Sequence, residues 1–164
     1  MRAPGPPYFG KYRGVVSDNQ DPDQRGRLRA TVADVYGEDD SPWALPAVPY
    51  AGSQVGFYMI PPLNSWVWFE FEKGDPDYPV WTGCFWGDSQ LPSEASSPDV
   101  KLVKTASATI TLDDTSGSNA VKLETTGGIK ITMDQNGIEI TNGNAKIKLS
   151  GQQVSVNDGA LEVD

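Results

Sequence analysis

The chain has 164 residues with a net charge of -9 and no histidine, which is enough for one domain or for a small domain with an appendage. The acidic surplus argues against a general polyanion binder, because neutralising phosphates takes clustered Lys and Arg, so no nucleic-acid partner is expected. Without His there is no Ser-His-Asp or Cys-His arrangement and no His-rich zinc site, so no enzyme, metal site or cofactor is expected.

The opening stretch Met1–Gly14 has no apolar h-region, and no later run approaches the ~18 apolar residues of a membrane span, so the reading is a soluble protein without a secretion signal. Helical periodicity is nearly absent, and the expected class is all-β. In the first part, strands are expected at Tyr12–Val16, Arg27–Val35, Ala44–Ala47, Ser65–Glu72 and Val80–Trp86, bounded by turn formers such as Asp21-Pro22-Asp23 and Gly74-Asp75-Pro76. Five short strands suit a small closed barrel. Alternation along the fourth strand sends Val67, Phe69 and Phe71 inward and Trp66, Trp68, Glu70 and Glu72 outward. Cys84 is expected to be a buried structural residue. Two features offer a partner surface: the outward tryptophans Trp66 and Trp68, and the only basic stripe, Arg25, Arg27 and Arg29. The Asp18–Asp23 run superficially resembles a calcium loop, but Pro22 takes a ligand position, and the segment reads as a turn. Glu70 and Glu72 sit about 7 Å apart by strand rise and read as a solvated or intersubunit face.

Composition breaks near Pro98. All five Trp, six Tyr and five Phe lie between Tyr8 and Trp86, and no proline follows Pro98. The boundaries read as 1–92 for the barrel, 93–106 for a Ser- and Pro-rich linker, and 107–164 for a second domain. That second part repeats one design: Ile110-Thr111-Leu112, Val121-Lys122-Leu123, Ile129-Lys130-Ile131, Ile138-Glu139-Ile140, Ile147-Lys148-Leu149, Val154-Ser155-Val156 and Leu161-Glu162-Val163. Turn chemistry such as Gly127-Gly128, Asn136-Gly137 and Asn157-Asp158-Gly159 fills the gaps. The pattern fits a meander of hairpins or a β-helix and does not separate them. Fourteen aliphatic side chains are a small core for so long a segment, so it needs other chains or a cap. A threefold β-prism meets that need, with the aliphatic residues of three copies on the axis and the strand edges paired between chains.

Motifs across nearly the whole chain also carry a family resemblance. Tyr8-Phe9-Gly10-Lys11-Tyr12-Arg13-Gly14, Gly26-Arg27-Leu28, Trp43-Ala44-Leu45-Pro46, Val67-Trp68-Phe69-Glu70-Phe71, Gly74-Asp75-Pro76-Asp77-Tyr78-Pro79 and Gly83-Cys84-Phe85-Trp86-Gly87 resemble the N-terminal oligonucleotide/oligosaccharide-binding (OB) fold of phage baseplate assembly protein V. Ile110–Gly117 resembles the entry to the trimeric β-helix of these spikes, and Gly159–Val163 the end of their short members. The resemblance implies a five-stranded OB barrel followed by an intertwined trimeric β-helix, a triangular β-prism. It implies a homotrimeric central spike at the baseplate of a phage tail or tail-like particle, held by tail-tube or hub proteins and driven transiently through a target membrane. Some members end in a His-x-His metal tip, whose ligands this chain lacks. Its end at Ala160, Leu161 and Val163 would suit a separate tip protein of the proline-alanine-alanine-arginine (PAAR) type. The other reading is a monomeric OB module, binding an oligosaccharide or single-stranded nucleic acid, with a β-rich tail.

Overall fold

The computed structural model describes residues 7–118 and 120–163. They form two compact units, the first ending at Gln90 and the second beginning at Leu91. No helix among the described residues is long and apolar enough to cross a membrane.

The first unit is built on β1 (Tyr12–Asp18), β2 (Arg29–Thr31), β3 (Leu45–Pro46), a small hairpin of β4 (Ala51–Gly52) and β5 (Val55–Gly56), β6 (Trp66–Phe71) and β7 (Pro79–Phe85). A four-residue helix, α1 (Ala33–Tyr36), follows β2. The main sheet runs β2-β1-β6-β7-β3. Its two edges meet where Leu28 and Ala44 exchange backbone hydrogen bonds, closing the sheet on itself. Closure gives one interior, filled by Val16, Leu28, Ala30, Val32, Ala44, Val67, Phe69, Phe71 and Trp81. Val67 and Phe69 are fully buried and Phe71 nearly so, on the face that alternation assigns them. Gly14 lets β1 pack closely over the interior: a Cβ there would lie 3.1 Å from the Val32 side chain and 3.3 Å from that of Ala30, so both would have to shift by a few tenths of an ångström. Tyr36 locks the helix to the turn before β7 by donating its hydroxyl hydrogen bond to the Pro76 carbonyl at 2.6 Å.

The expected strand Arg27–Val35 is corrected here. Only Arg29–Thr31 is strand, and the chain then turns into α1 and ends it at Gly37 with φ 67°. The barrel bends away at Val32, which caps the interior rather than continuing the ladder.

The second unit is one eight-stranded antiparallel sheet in sequence order, β8 (Val100–Lys104), β9 (Ala108–Asp113), β10 (Ala120–Thr125), β11 (Lys130–Asp134), β12 (Gly137–Asn142), β13 (Ala145–Ser150), β14 (Gln153–Val156) and β15 (Leu161–Val163). Each strand pairs with the next in the same chain, so the meander is the observed arrangement. The expectation that strand edges pair between chains is therefore corrected, since these ladder bonds are made within one chain. The stretch 93–106, expected as a linker, contains β8, paired along its length with β9. Gly137 starts β12 at φ +131°, and a Cβ there would collide with the Leu149 carbonyl oxygen of the adjacent strand, so the tight turn from β11 needs glycine.

Candidate functional site

Register decides what the second sheet presents, because residues directly opposite each other across an antiparallel ladder share a face. One column runs Leu112, Val121, Met133, Ile138, Leu149, Val154 and, by backbone register, Val163. A second runs Ile110, Leu123, Ile131, Ile140, Ile147, Val156 and Leu161, and Val103 of β8 extends it. The side chain of Val163 lies outside the described ones. Both columns are on the same face, since their members alternate by two along every strand.

This brings together all the expected axial residues but one. Ile129 precedes β11, where its carbonyl accepts a hydrogen bond from the Thr125 N–H, and Met133 takes the column position opposite Val121 and Ile138. The β11 triplet is thus Ile131-Thr132-Met133, shifted by one pleat because Gly127-Gly128 places the turn later than spacing suggested. Eleven members of the two columns are exposed in one chain, from 36% at Ile138 to 60% at Leu161, while Val121, Ile131 and Val156 are half-buried. An aliphatic face of this length is far larger than a soluble monomer leaves to water.

The opposite face is polar. It carries Thr111, Lys122, Thr132, Glu139, Lys148 and Ser155 in one row and Thr109, Glu124, Lys130, Thr141 and Lys146 in the next. Glu124 stands opposite Lys130 and Glu139 opposite Lys148, pairs of opposite charge that favour this register by a few tenths of a kcal/mol each. At the turns, the Lys146 ammonium is raised above its ordinary range by Asp158 at 2.8 Å, and the Ser118 hydroxyl bond holds Asp113 below its own.

On the first unit, two of the three arginines of the expected basic stripe are already engaged within the chain. The Arg27 guanidinium reaches Asp21 and Asp23, both at 2.6 Å, and Arg29 donates to the Ser41 carbonyl at 2.9 Å. Both guanidinium groups also stack over Trp43, 5.6 and 5.7 Å from its ring centre. Arg25 is exposed, and its backbone N–H donates to Asp21 at 2.7 Å. Asp21 therefore organises the 21–27 turn: its two oxygens accept from the backbone N–H groups of Asp23, Arg25 and Arg27 as well as from the Arg27 side chain. The Arg27 hydrogen bond comes first in holding this carboxyl well below the usual range, and it raises Arg27 in turn. Trp66 and Trp68 do face outward but are half-buried, packed on Phe85 at 5.6 and 4.5 Å with the Arg13 guanidinium over Trp68 and Phe85. Glu70 pairs with Lys11 at 2.6 Å. Cys84 is exposed rather than buried, although neighbouring atoms still desolvate its thiol and push it up. Among the described residues, no group of three His, Cys, Asp or Glu could hold a metal ion.

A closed five-stranded barrel followed by an eight-stranded sheet with an uncovered aliphatic face defines a structural protein that assembles through its C-terminal part. Family models agree with both halves. Residues 12–86 match the type VI secretion system/phage-baseplate injector OB domain, and residues 100–162 match the phage baseplate V C-terminal trimerisation domain. A search of curated proteins gives no significant match. The chain belongs to the phage baseplate V family. Membership supports a spike-like structural role at a phage-type baseplate and a homotrimeric state.

Proposed function

We propose that three copies pack the aliphatic faces of their second units against one another, making a three-sided prism that serves as the needle of a contractile particle. The observation that carries the reading is the pair of apolar columns on one face, one over the seven strands β9 to β15 and the other over all eight, with most of their side chains open to solvent in a single chain. Each chain supplies one wall, and the polar face with its Lys, Glu and Thr rows becomes the outside. At about 4.8 Å per strand, eight strands give a shaft about 34 Å long between its first and last strand. Bending such a shaft requires three hydrogen-bonded sheets to distort together. Its polar exterior would not adhere to the target membrane it crosses when the sheath contracts.

The first units would form the collar below the tail tube, in contact with hub proteins. Ala160 and Leu161 are exposed at the end of the sheet, where three copies would leave a small apolar platform for a PAAR-type tip protein. A monomeric OB ligand-binding module is the weaker reading, because Arg27 and Arg29 are committed to Asp21, Asp23 and Ser41. Light scattering separates the two. The spike predicts about 53 kDa, three times 17.7 kDa, and a monomer at micromolar concentration would remove its basis.

A further inference from the structure

Residues 41–69 contain no Asp, Glu, Lys or Arg, a run of 29 in a chain where 21% of residues are charged. Within it, the β4–β5 hairpin and the strand-free segment after it hold Tyr50, Val55, Phe57, Tyr58 and Met59 in the exposed class, with Tyr58 78% exposed. Phe57 and Met59 of this arm also line one side of a cleft of about 480 Å³, whose other lining residues are Ala47, Val48, Pro49, Trp81, Thr82 and Gly83. Tyr58 is not part of that lining. Absence of charge together with aromatic and Met enrichment is the composition of an interface core.

We propose that the collar is held together by this arm: Tyr58 of each copy seats in the Val48–Trp81 cleft of the next copy around the threefold axis. The symmetry argument selects a second copy over an unrelated partner. A cyclic trimer needs a heterologous contact, with two different complementary surfaces on every chain, and the first unit carries both an exposed Tyr58 outside the recess and an apolar recess whose lining includes the flanking Phe57 and Met59. The contact need not be strong, because a trimerisation domain at residues 100–162 keeps three first units at a millimolar effective concentration. Tyr is suited to the role: its ring fills an apolar recess at low entropic cost and its hydroxyl can meet a polar group, and Thr82 is the polar side chain in this lining.

The inference rests on the trimeric reading, and its test keeps the two apart. The full chain is prepared with a benzophenone amino acid in place of Tyr58, as a refolded mixture of isotope-labelled and unlabelled copies, and irradiated after light scattering. A trimer with mixed-isotope adducts on residues 47–49 or 81–83 is the expected result. Ala47→Phe, which fills the recess, should abolish those adducts while leaving the trimer mass unchanged. A trimer that gives no adducts, or adducts only within one chain, overturns the arm contact and leaves the prism standing. A monomer overturns both.

Discussion

Replacing Ile140 by Ala tests the orientation of the second sheet, because its neighbours on the same strand, Glu139 and Thr141, belong to the opposite face. Ile140 keeps 39% of its surface exposed in the isolated chain. Full burial of an isoleucine side chain is worth about 1.5–3 kcal/mol, so covering that remainder contributes roughly 0.6–1.2 kcal/mol per chain and about 2–4 kcal/mol for three copies. Truncation also opens a cavity shared by three chains, and Ile→Ala in a packed core costs about 2–5 kcal/mol per site. The loss per trimer should therefore fall between about 2 and 15 kcal/mol, against about 1.5 kcal/mol or less per trimer for Thr141→Ala on the surface, ~0.5 per chain. Urea unfolding followed at several protein concentrations reads this directly, since a trimer that dissociates on unfolding has a concentration-dependent midpoint. Equal shifts for Ile140→Ala and Thr141→Ala, or a midpoint independent of concentration, would refute the placement of this face on the axis.

Three further outcomes follow from the geometry. Gly137→Ala forces a Cβ into the Leu149 carbonyl at φ +131°, and should cost about 2 kcal/mol or more per chain in chemical denaturation of the second unit; an unchanged midpoint would mean the β11–β12 turn is not as described. Tyr36→Phe removes the hydrogen bond to the Pro76 carbonyl and should lower first-unit stability by about 1 kcal/mol while leaving the trimer mass intact. Asp21 has a depressed folded-state pKa, so its contribution is present above the ordinary carboxylate value of 3.8 and is lost as pH falls below it. Asp21→Asn should accordingly lower the first-unit melting temperature at pH 7 and narrow its gap to the wild type at acid pH, because the amide presents a donor to N–H groups that need acceptors. A constant gap between pH 7 and pH 3 would count against that turn.

What the chain concealed has identifiable physical causes. Period-two alternation placed Val67, Phe69 and Phe71 inside because one side of β6 faces a dry barrel. The same signal put thirteen of the fourteen residues expected on the axis on one sheet face and missed at Ile129, where a Gly-Gly turn delays the strand and Met133 fills the column. Strand β8 was illegible for the complementary reason. Val103 joins the aliphatic column, but Leu102 faces Thr111 on the polar side, so apolar residues fall on both faces and the alternation disappears. Helix α1 is too short to show a helical period, though Gly37 just beyond it is the kind of residue that ends helices. The in-chain partners of the basic stripe were not legible because local spacing says nothing of partners: Ser41, twelve residues from Arg29, takes one guanidinium, and the Asp21 turn takes another. The hairpin arm was overlooked among Pro and Gly, yet its freedom from charge was readable in the chain.

The central claim, an aliphatic sheet face buried on a threefold axis, is tested most directly by thiol accessibility in a Cys84→Ser background. Ile140→Cys and Glu139→Cys are compared for their rate of reaction with a charged maleimide, in samples whose mass is confirmed as trimeric. The account predicts that the thiol at 139 reacts at the rate of an exposed cysteine and that the thiol at 140 is protected until the trimer is unfolded. Comparable rates at the two positions in an intact trimer would contradict it.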